Sequence, residues 1–413
     1  MSENQLTEWD PLQYEHDPKP SDQFPITTDG NERIAVVRTS DRISFRRCRR
    51  RWNWSSHLRQ NLGTLVTPAP LWMGVGFHFA LEDFHGVKEW PSAKEAFVAF
   101  AAATYRKARH TLPGDFEELT DLAGGMLNYY EKLWLPARDP LRTFMWDGRP
   151  QVEVNFRIEV PWERGHHGFD RVVYSGTIDR ITIDDYNRLW LIDYKTAKQI
   201  QTMHFANDPQ ISAYCWAAAQ MYPGYEVAGF IYQQHRKALP DPNLFLASGK
   251  ITTNQNFKTT RSFYKHALIN LYGAIEKAPL ANVNHLNWLA RMEDTEKDFF
   301  IRRDRIHRNA RQNESEGVKL LMELDEMLNP DLPLYPSPTR DCAYMCPFHG
   351  VCVSLDDGSD WEDELESITQ QREGSYDLWR QYLPLPPGQT QPKSEVLLLQ
   401  ANPTPPPVSP PSK

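Results

Sequence analysis

No run of apolar residues in this chain approaches the roughly 18 to 20 that span a bilayer. Its opening stretch, MSENQLTEWDPLQYEHDPKP, lacks the basic and apolar blocks of a secretory leader. No membrane association is expected, and a cytoplasmic globular protein is. Cysteine is scarce, five in 413 residues, which argues against a disulfide framework. A phosphate-binding loop is missing too: SGKI at 248–251 lacks the first glycine and the Ser/Thr of G-x-x-x-x-G-K-[ST], so no ATP-driven unwinding is expected of the chain itself. No internal repeat occurs. Nor is there an overall positive charge; the formal value is −8, which taken alone disfavours a nucleic-acid partner.

That average hides an uneven distribution. SLDDGSDWEDELE (354–366) holds seven acidic residues and no basic one, so the remainder is close to neutral. Basic clusters then stand out at RRCRRRW (46–52), KTTRSFYKH (258–266) and RRDRIHRNAR (302–311). Such runs are ordinarily solvated helix faces, a reading that suits the last cluster. The first sets Arg46, Arg47, Arg49, Arg50 and Arg51 around Cys48 and Trp52, a candidate grip for a phosphate backbone. Trp52 and Trp54 are candidates for stacking on unpaired bases, although buried packing is the expected use of at least one of them.

Composition divides the chain. Residues 1–33, rich in Pro, Asp and Asn, read as a loose arm. Residues 34–355 read as one α/β unit, 356–382 as an acidic segment with a short helix, and 383–413 as a disordered tail holding 10 of the 32 prolines. A SEVLLLQ segment in that tail reads as a chance apolar run, with a docking peptide as the alternative. Within the unit, Ser40 or Asp41 is a plausible helix N-cap. Helices are predicted over 70–87, the alanine-rich segment after it, and 115–134. QVEVNFRIEV (151–160) alternates strictly, with Val152, Val154, Phe156, Ile158 and Val160 on one face and Glu153, Asn155, Arg157 and Glu159 on the other. A hairpin (171–184 with 188–196), a helix (208–222) and a strand (225–235) follow. This order predicts a mixed sheet with helices on its faces.

The hairpin carries the chemistry. In LWLIDYKTAK (189–198), alternation sends Leu189, Leu191, Asp193 and Lys195 to one face and Trp190, Ile192 and Tyr194 to the other. The strand is thus expected to be buried on one side and to carry charge on the other. If Asp184 pairs with Arg188, Asp179 comes opposite Asp193. Two carboxylates that close repel unless a cation separates them. An oxygen-rich site of this kind suits Mg²⁺ or Mn²⁺, with Lys195 placed to hold a water or stabilise charge on a phosphate. An ordinary hairpin salt bridge has the same spacing.

GTIDRI (176–181) and DYK (193–195) resemble the two acidic motifs of the PD-(D/E)XK nuclease superfamily, with Asp in place of the commoner Glu at 193. Three further features resemble its RecB-like branch. QISAY places Gln210 and Tyr214 at i and i+4 on one helix face. GVGFHFALEDF places His78 where that branch has a metal-binding helix histidine, with His85 two turns on as a fallback. Cys48 with CAYMCPFHGVC (Cys342, Cys346, Cys352) resembles the iron–sulfur staple of AddB-type and CRISPR-associated RecB-like exonucleases. Three rather than two residues between Cys342 and Cys346 keep zinc, with His349, in view. Cys215 reads as a core cysteine.

The resemblance implies a restriction-endonuclease-like fold. It implies a Mg²⁺- or Mn²⁺-dependent deoxyribonuclease with the metal held by His78, Asp179, Asp193 and the Tyr194 carbonyl. Lys195, Gln210 and Tyr214 would complete the catalytic set, and Cys48, Cys342, Cys346 and Cys352 would hold a [4Fe–4S] cluster. Glu153 would orient a ligand of the metal. It further implies an exonuclease on DNA ends or single strands in recombination, repair or CRISPR-type processing, alongside a helicase or recombination protein, in a bacterial or phage-infected cell. A catalytically idle iron–sulfur DNA-binding or assembly subunit and a zinc-stapled structural protein are the competing readings.

Overall fold

The computed structural model describes residues 27–372, apart from 30–31, 67, 110–111, 139–140, 203–204, 206–207, 242, 255–257 and 279–281, together with Pro384. Most of the expected arm, and the proline-rich tail with its SEVLLLQ segment, lie outside the described residues.

The chain enters as sheet, earlier than expected. β1 (Thr27–Asp29) pairs antiparallel with β2 (Glu32–Arg38), whose apolar centre is buried. α1 (Thr39–Arg47) and α2 (Arg49–Ser55) follow, split at Cys48, where extended backbone (φ −166°, ψ 119°) interrupts the helical run. Neither Ser40 nor Asp41 is the N-cap. Asp41 sits one turn in and caps by accepting the Arg38 N–H at 3.1 Å. After β3 (Leu62–Thr64) come α3 (Ala69–His85), α4 (Ala93–Ala108) and α5 (Phe116–Tyr129), the last continuing through a π turn at Tyr130–Trp134 into α6 (Leu135–Arg138).

Short strands β4 (Arg142–Thr143), β5 (Met145–Trp146) and β6 (Arg149–Pro150) precede β7 (Val152–Val160), β8 (Arg171–Ile183), β9 (Leu189–Ala197), α7 (Pro209–Met221) and β10 (Val227–Arg236). α8 (Arg261–Tyr272) and α9 (Val283–Phe299) pack with Leu244 and Ile251 into a small core of their own. β11 (Ile301–His307) then pairs antiparallel with β10. Most of the basic run at 302–311 is therefore an edge strand and not a helix face. A charged edge is what discourages further strand addition, and Arg303 and Arg305 stack over Trp134 and Trp190. α10 (Ala310–Leu328), α11 (Cys342–Met345), α12 (His349–Asp357), α13 (Trp361–Ile368) and β12 (Thr369–Gln371) complete the chain. The acidic segment does not stand apart. β12 pairs with β3, and Leu355 and Leu365 pack with Trp54, Phe348 and Val351.

The main sheet runs β1-β2-β8-β9-β10-β11, with β2/β8 and β9/β10 parallel and the other neighbours antiparallel; β4 and β7 line the other side of β8. Helices cover both faces. Leu189 and Leu191 lie in a core with Ile211, Leu320 and Leu324, whereas Trp190, Ile192 and Tyr194 lie in a second core with Phe77, Phe97 and Tyr130. β9 is thus buried on both sides, as expected of a central strand in a mixed sheet covered by helices. Its charged end is the exception, and it is not a solvent-facing side.

α10 is also tied to α1 through charge. Arg42, 2 % exposed, bonds Glu316 at 2.7 Å and also Glu323; Arg46 reaches Glu323, and Arg49 reaches Glu326. Removing one member of a buried pair leaves the other charge uncompensated, at a cost of about 3–5 kcal/mol. Arg42→Met is therefore expected to lower unfolding stability by about that much. Adding Glu316→Gln should recover part of the loss, a non-additivity that urea denaturation of the two single variants and the double variant measures.

Candidate functional site

β8 is long enough to change partners along its length. On one side, residues 171–175 pair with β2 and residues 180–183 pair with β9. Between these two ladders lies a short unpaired stretch that ends at Asp179. The β8/β9 register is the one expected from Asp184 and Arg188, but the ladder stops at Arg180–Ile192, one position before Asp179 and Asp193 would face each other. The strands part there, and the Asp179 side chain takes over. Its Oδ2 accepts the Tyr194 N–H at 2.7 Å.

His78 reaches this fork from α3. Its Nδ1 lies 3.3 Å from Glu153 Oε1 and 3.4 Å from Asp179 Oδ1, and its Nε2 lies 2.9 Å from the Tyr194 carbonyl. One donor atom from each of His78, Glu153 and Asp179 lies within 4.8 Å of the others. Glu153 enters through an irregularity. Val152 pairs with Arg180 and Val154 with Ile178, while Glu153 between them has φ +44°. That left-handed backbone costs a non-glycine residue about 1–2 kcal/mol, and strain of this kind gathers at functional sites. Strict alternation put Glu153 on the polar face and gave no sign of the twist.

Asp193, 2 % exposed, completes the cluster. Its Oδ1 accepts from Lys195 Nζ at 2.8 Å and from Gln210 Nε2 at 3.3 Å. Its buried Oδ2 lies 2.6 Å from Lys195 Nζ but receives no aligned hydrogen bond. α7 presents Gln210 because Asp208 caps the helix, accepting the Gln210 and Ile211 N–H groups. Tyr214, one turn on, is buried against Phe156 and Phe230, so QISAY brings its Gln to the carboxylate and its Tyr into the core wall beneath. Tyr232, opposite Asp193 on β10, is a neighbour that sequence reading missed.

The electrostatics follow from depth. Burial pushes Asp193 up, and Asp179 adds to it against the pull of Lys195, to about 6. Burial also pushes Asp179 up, but His78, Lys195 and the Tyr194 N–H outweigh it and hold the carboxyl below its ordinary value. Burial would lower His78 and Lys195, yet the carboxylates raise both. Lys195 is therefore held as an ammonium. His85, the fallback ligand, is elsewhere: it bonds the Tyr130 hydroxyl at 2.8 Å and stacks on Tyr194, away from the carboxylates, and burial depresses it.

Cys48, Cys342, Cys346 and Cys352 line one cavity of ≈ 370 Å³ together with His349, and none of the four is in a disulfide. Main-chain N–H groups of Arg51 and Ser337 point at Cys48 Sγ, the N–H of Thr339 points at Cys342 Sγ, and Arg50 Nη1 is 3.2 Å from Cys352 Sγ. Cys215 is buried in α7, away from that cavity. The arginines expected to meet a phosphate backbone have carboxylate partners: Glu323 for Arg46, Asp341 for Arg47, Glu326 for Arg49 and Asp356 for Arg50. Arg51 lines the cysteine cavity. Trp52 and Trp54 are fully buried, which leaves them to packing.

Three histidines beside one strand thus differ in charge. His235, 1 % exposed, is lowered to about 3 by burial, helped by the charges of Arg303 and His78. Between pH 6.5 and 3 the unfolded chain binds the proton that folded His235 refuses. Its contribution is present above pH 6.5 and falls by about 1.4 kcal/mol per pH unit on acidification. His78 acts oppositely: its contribution in metal-free protein is complete below pH 6.5 and fades as pH rises through its raised folded value. In urea midpoints measured from pH 8 to pH 4, His235→Leu is expected to flatten the acid limb alone.

Comparison with curated proteins finds no match. The family model of the PD-(D/E)XK nuclease superfamily matches residues 41–353, a span that contains the fork, the helix bearing His78, the Gln210 helix and all four clustered cysteines. The chain belongs to the PD-(D/E)XK nuclease superfamily.

Proposed function

We propose that the protein is a Mg²⁺- or Mn²⁺-dependent deoxyribonuclease of the RecB-like branch, an exonuclease that works on DNA ends or single strands. The observation that carries this reading is the convergence of His78, Glu153 and Asp179 at the fork, with the Lys195–Asp193 pair beside them. The donor set suits a hard divalent cation. It offers carboxylate oxygens, one imidazole, a main-chain carbonyl and a buried Asp193 oxygen with no directed donor. His78, Glu153, Asp179, Asp193 and the Tyr194 carbonyl would hold the ion. Bound there, it supplies the Lewis acid that polarises a phosphoryl group and acidifies water.

The chain's own residues do the rest. Lys195, fixed as an ammonium by Asp193, offers positive charge where a phosphodiester gains negative charge. It is therefore an electrostatic group and not the general base. Gln210 holds the Asp193 oxygen that Lys195 shares, and Tyr214 walls off the apolar side. In the metal-free protein Glu153 and the Tyr194 carbonyl hold the two nitrogens of His78, and the ion would take the place of one of these contacts.

The four-cysteine cavity supports a [4Fe–4S] cluster. A tetrahedral zinc with Zn–S of 2.3 Å would draw its four sulfurs to about 3.8 Å of one another. Among the described residues, no three of these thiols have sulfurs all within 4.8 Å. The N–H groups aimed at Cys48 and Cys342 are the kind of hydrogen bond that tunes cluster sulfurs. The cluster would join α1 and α2 to the segment at 342–352.

Two measurements test these assignments. End-labelled single- and double-stranded DNA is expected to be degraded from its ends with Mg²⁺ or Mn²⁺, and Lys195→Ala to be slower by about 100-fold or more. Equal rates, or an inactive wild type, count against a catalytic fork. Anaerobically purified protein is expected to be brown, with four irons and four sulfides per chain, and Cys48→Ala to lose both colour and iron; a colourless wild type holding zinc gives the site to zinc.

A further inference from the structure

A second metal-ligating cluster lies away from the fork. The turn between β7 and β8 contains Gly165, His166, His167 and Gly168, and its two imidazoles converge on Asp325 of α10. His166 Nε2 and His167 Nε2 lie 2.6 and 3.1 Å from the same atom, Asp325 Oδ1. These three donor atoms all lie within 4.8 Å of one another, the same closeness as the His78 cluster. Nothing in nuclease chemistry at the fork uses them.

Adjacent side chains on an extended strand point to opposite faces, so two consecutive histidines need a special backbone to share a target. The turn provides one. His167 has φ +50°, flanked by Gly165 and Gly168 at φ +82°. A left-handed histidine costs about 1–2 kcal/mol. It brings the two rings to 3.9 Å between centroids, with the Trp162 ring 5.2 Å from His166. Two imidazoles that share one target can both be ligands of one cation.

We propose that His166, His167 and Asp325 form a binding site for a transition-metal ion, with Zn²⁺ the best match. Two imidazole nitrogens and one carboxylate favour Zn²⁺ over Mg²⁺, which prefers an all-oxygen shell. Three protein ligands leave the fourth tetrahedral position to water. The ion would pin the β7–β8 turn to α10, the helix that also carries Glu316, Glu323 and Glu326 against the arginines of α1 and α2. Its role is therefore to brace the fold and not to act on the phosphodiester.

The test uses the tag-free, full-length protein carrying Asp179→Asn, so that the fork contributes little, and compares it with the same protein carrying His166→Gln and His167→Gln as well. Each is incubated with Zn²⁺ in excess Mg²⁺, passed through gel filtration and analysed for metal. The first is expected to retain one more zinc per chain than the second, and to gain melting temperature with zinc where the second does not. Equal zinc in the two proteins overturns the site. Asp325→Asn removes the carboxylate without altering the turn, so it stays informative if the histidine variant folds poorly. It is expected to weaken zinc binding by about ten-fold or more, a loss seen even for groups behind the ligands; unchanged affinity likewise overturns the proposal.

Discussion

Two carboxylates buried at the same fork impose the central constraint on this protein. Asp179 and Asp193 are both nearly inaccessible, and neither can ionise cheaply without positive charge beside it. The surrounding residues divide that task. His78 and Lys195 are raised by the carboxylates and supply cations, while Asp193 itself stays high at about 6. In the layer beneath, His85 and His235 pack with Tyr130 and Tyr194 and are depressed by burial, with the charge of Arg303 adding to the effect on both.

The fork holds its shape because the chain around it is closed more than once. α10 packs Leu320, Leu324, Met327 and Leu328 into the core beneath β8 and β9, and its glutamates hold the arginines of α1 and α2. Cys48 sits at the break between those two helices, so the ion pairs that position the helices also aim Cys48 at the cavity shared with Cys342, Cys346 and Cys352. β3 with β12 adds a third tie. Each joins the beginning of the unit to its end, long-range contacts whose gain must exceed the cost of closing a loop of roughly 300 residues.

Elements with a strong period were legible in the sequence. β7, the β8–β9 hairpin with its register, and α7 lie where alternation and helical spacing put them, and the mixed sheet follows from their order. The misreadings have particular causes. β11 was hidden because a charged edge strand and a solvated helix face have the same composition. The carboxylate neighbours of the arginines at 46–50 were not legible either, because they lie about 275 to 305 residues away, beyond any local pattern. Asp341, close to Cys342, is the partner of Arg47. Glu153 was placed on the right strand, but its left-handed backbone depends on where β8 forks, and no residue of β7 encodes that. His166 and His167 drew no notice, since a pair of histidines becomes a cluster only when α10 brings up Asp325.

The strand LWLIDYKTA illustrates how burial and chemistry share one period. Up to Ile192 both faces are apolar, because both are covered by helices. At Asp193 the antiparallel partner has already parted, while the parallel partner β10 continues alongside with Tyr232 opposite Asp193 and Gln234 opposite Lys195. The strand is thus held straight on one side and open on the other. Two consequences follow from that half-paired backbone. The Tyr194 N–H, with no β8 carbonyl to meet, fixes the Asp179 carboxylate, and the Tyr194 carbonyl is left for His78. Asp193 and Lys195, on the same face and two residues apart, meet at 2.8 Å without leaving the strand. Both charges and the peptide between them are therefore presented by a rigid backbone, the arrangement that keeps a charged cluster preorganised before any substrate arrives.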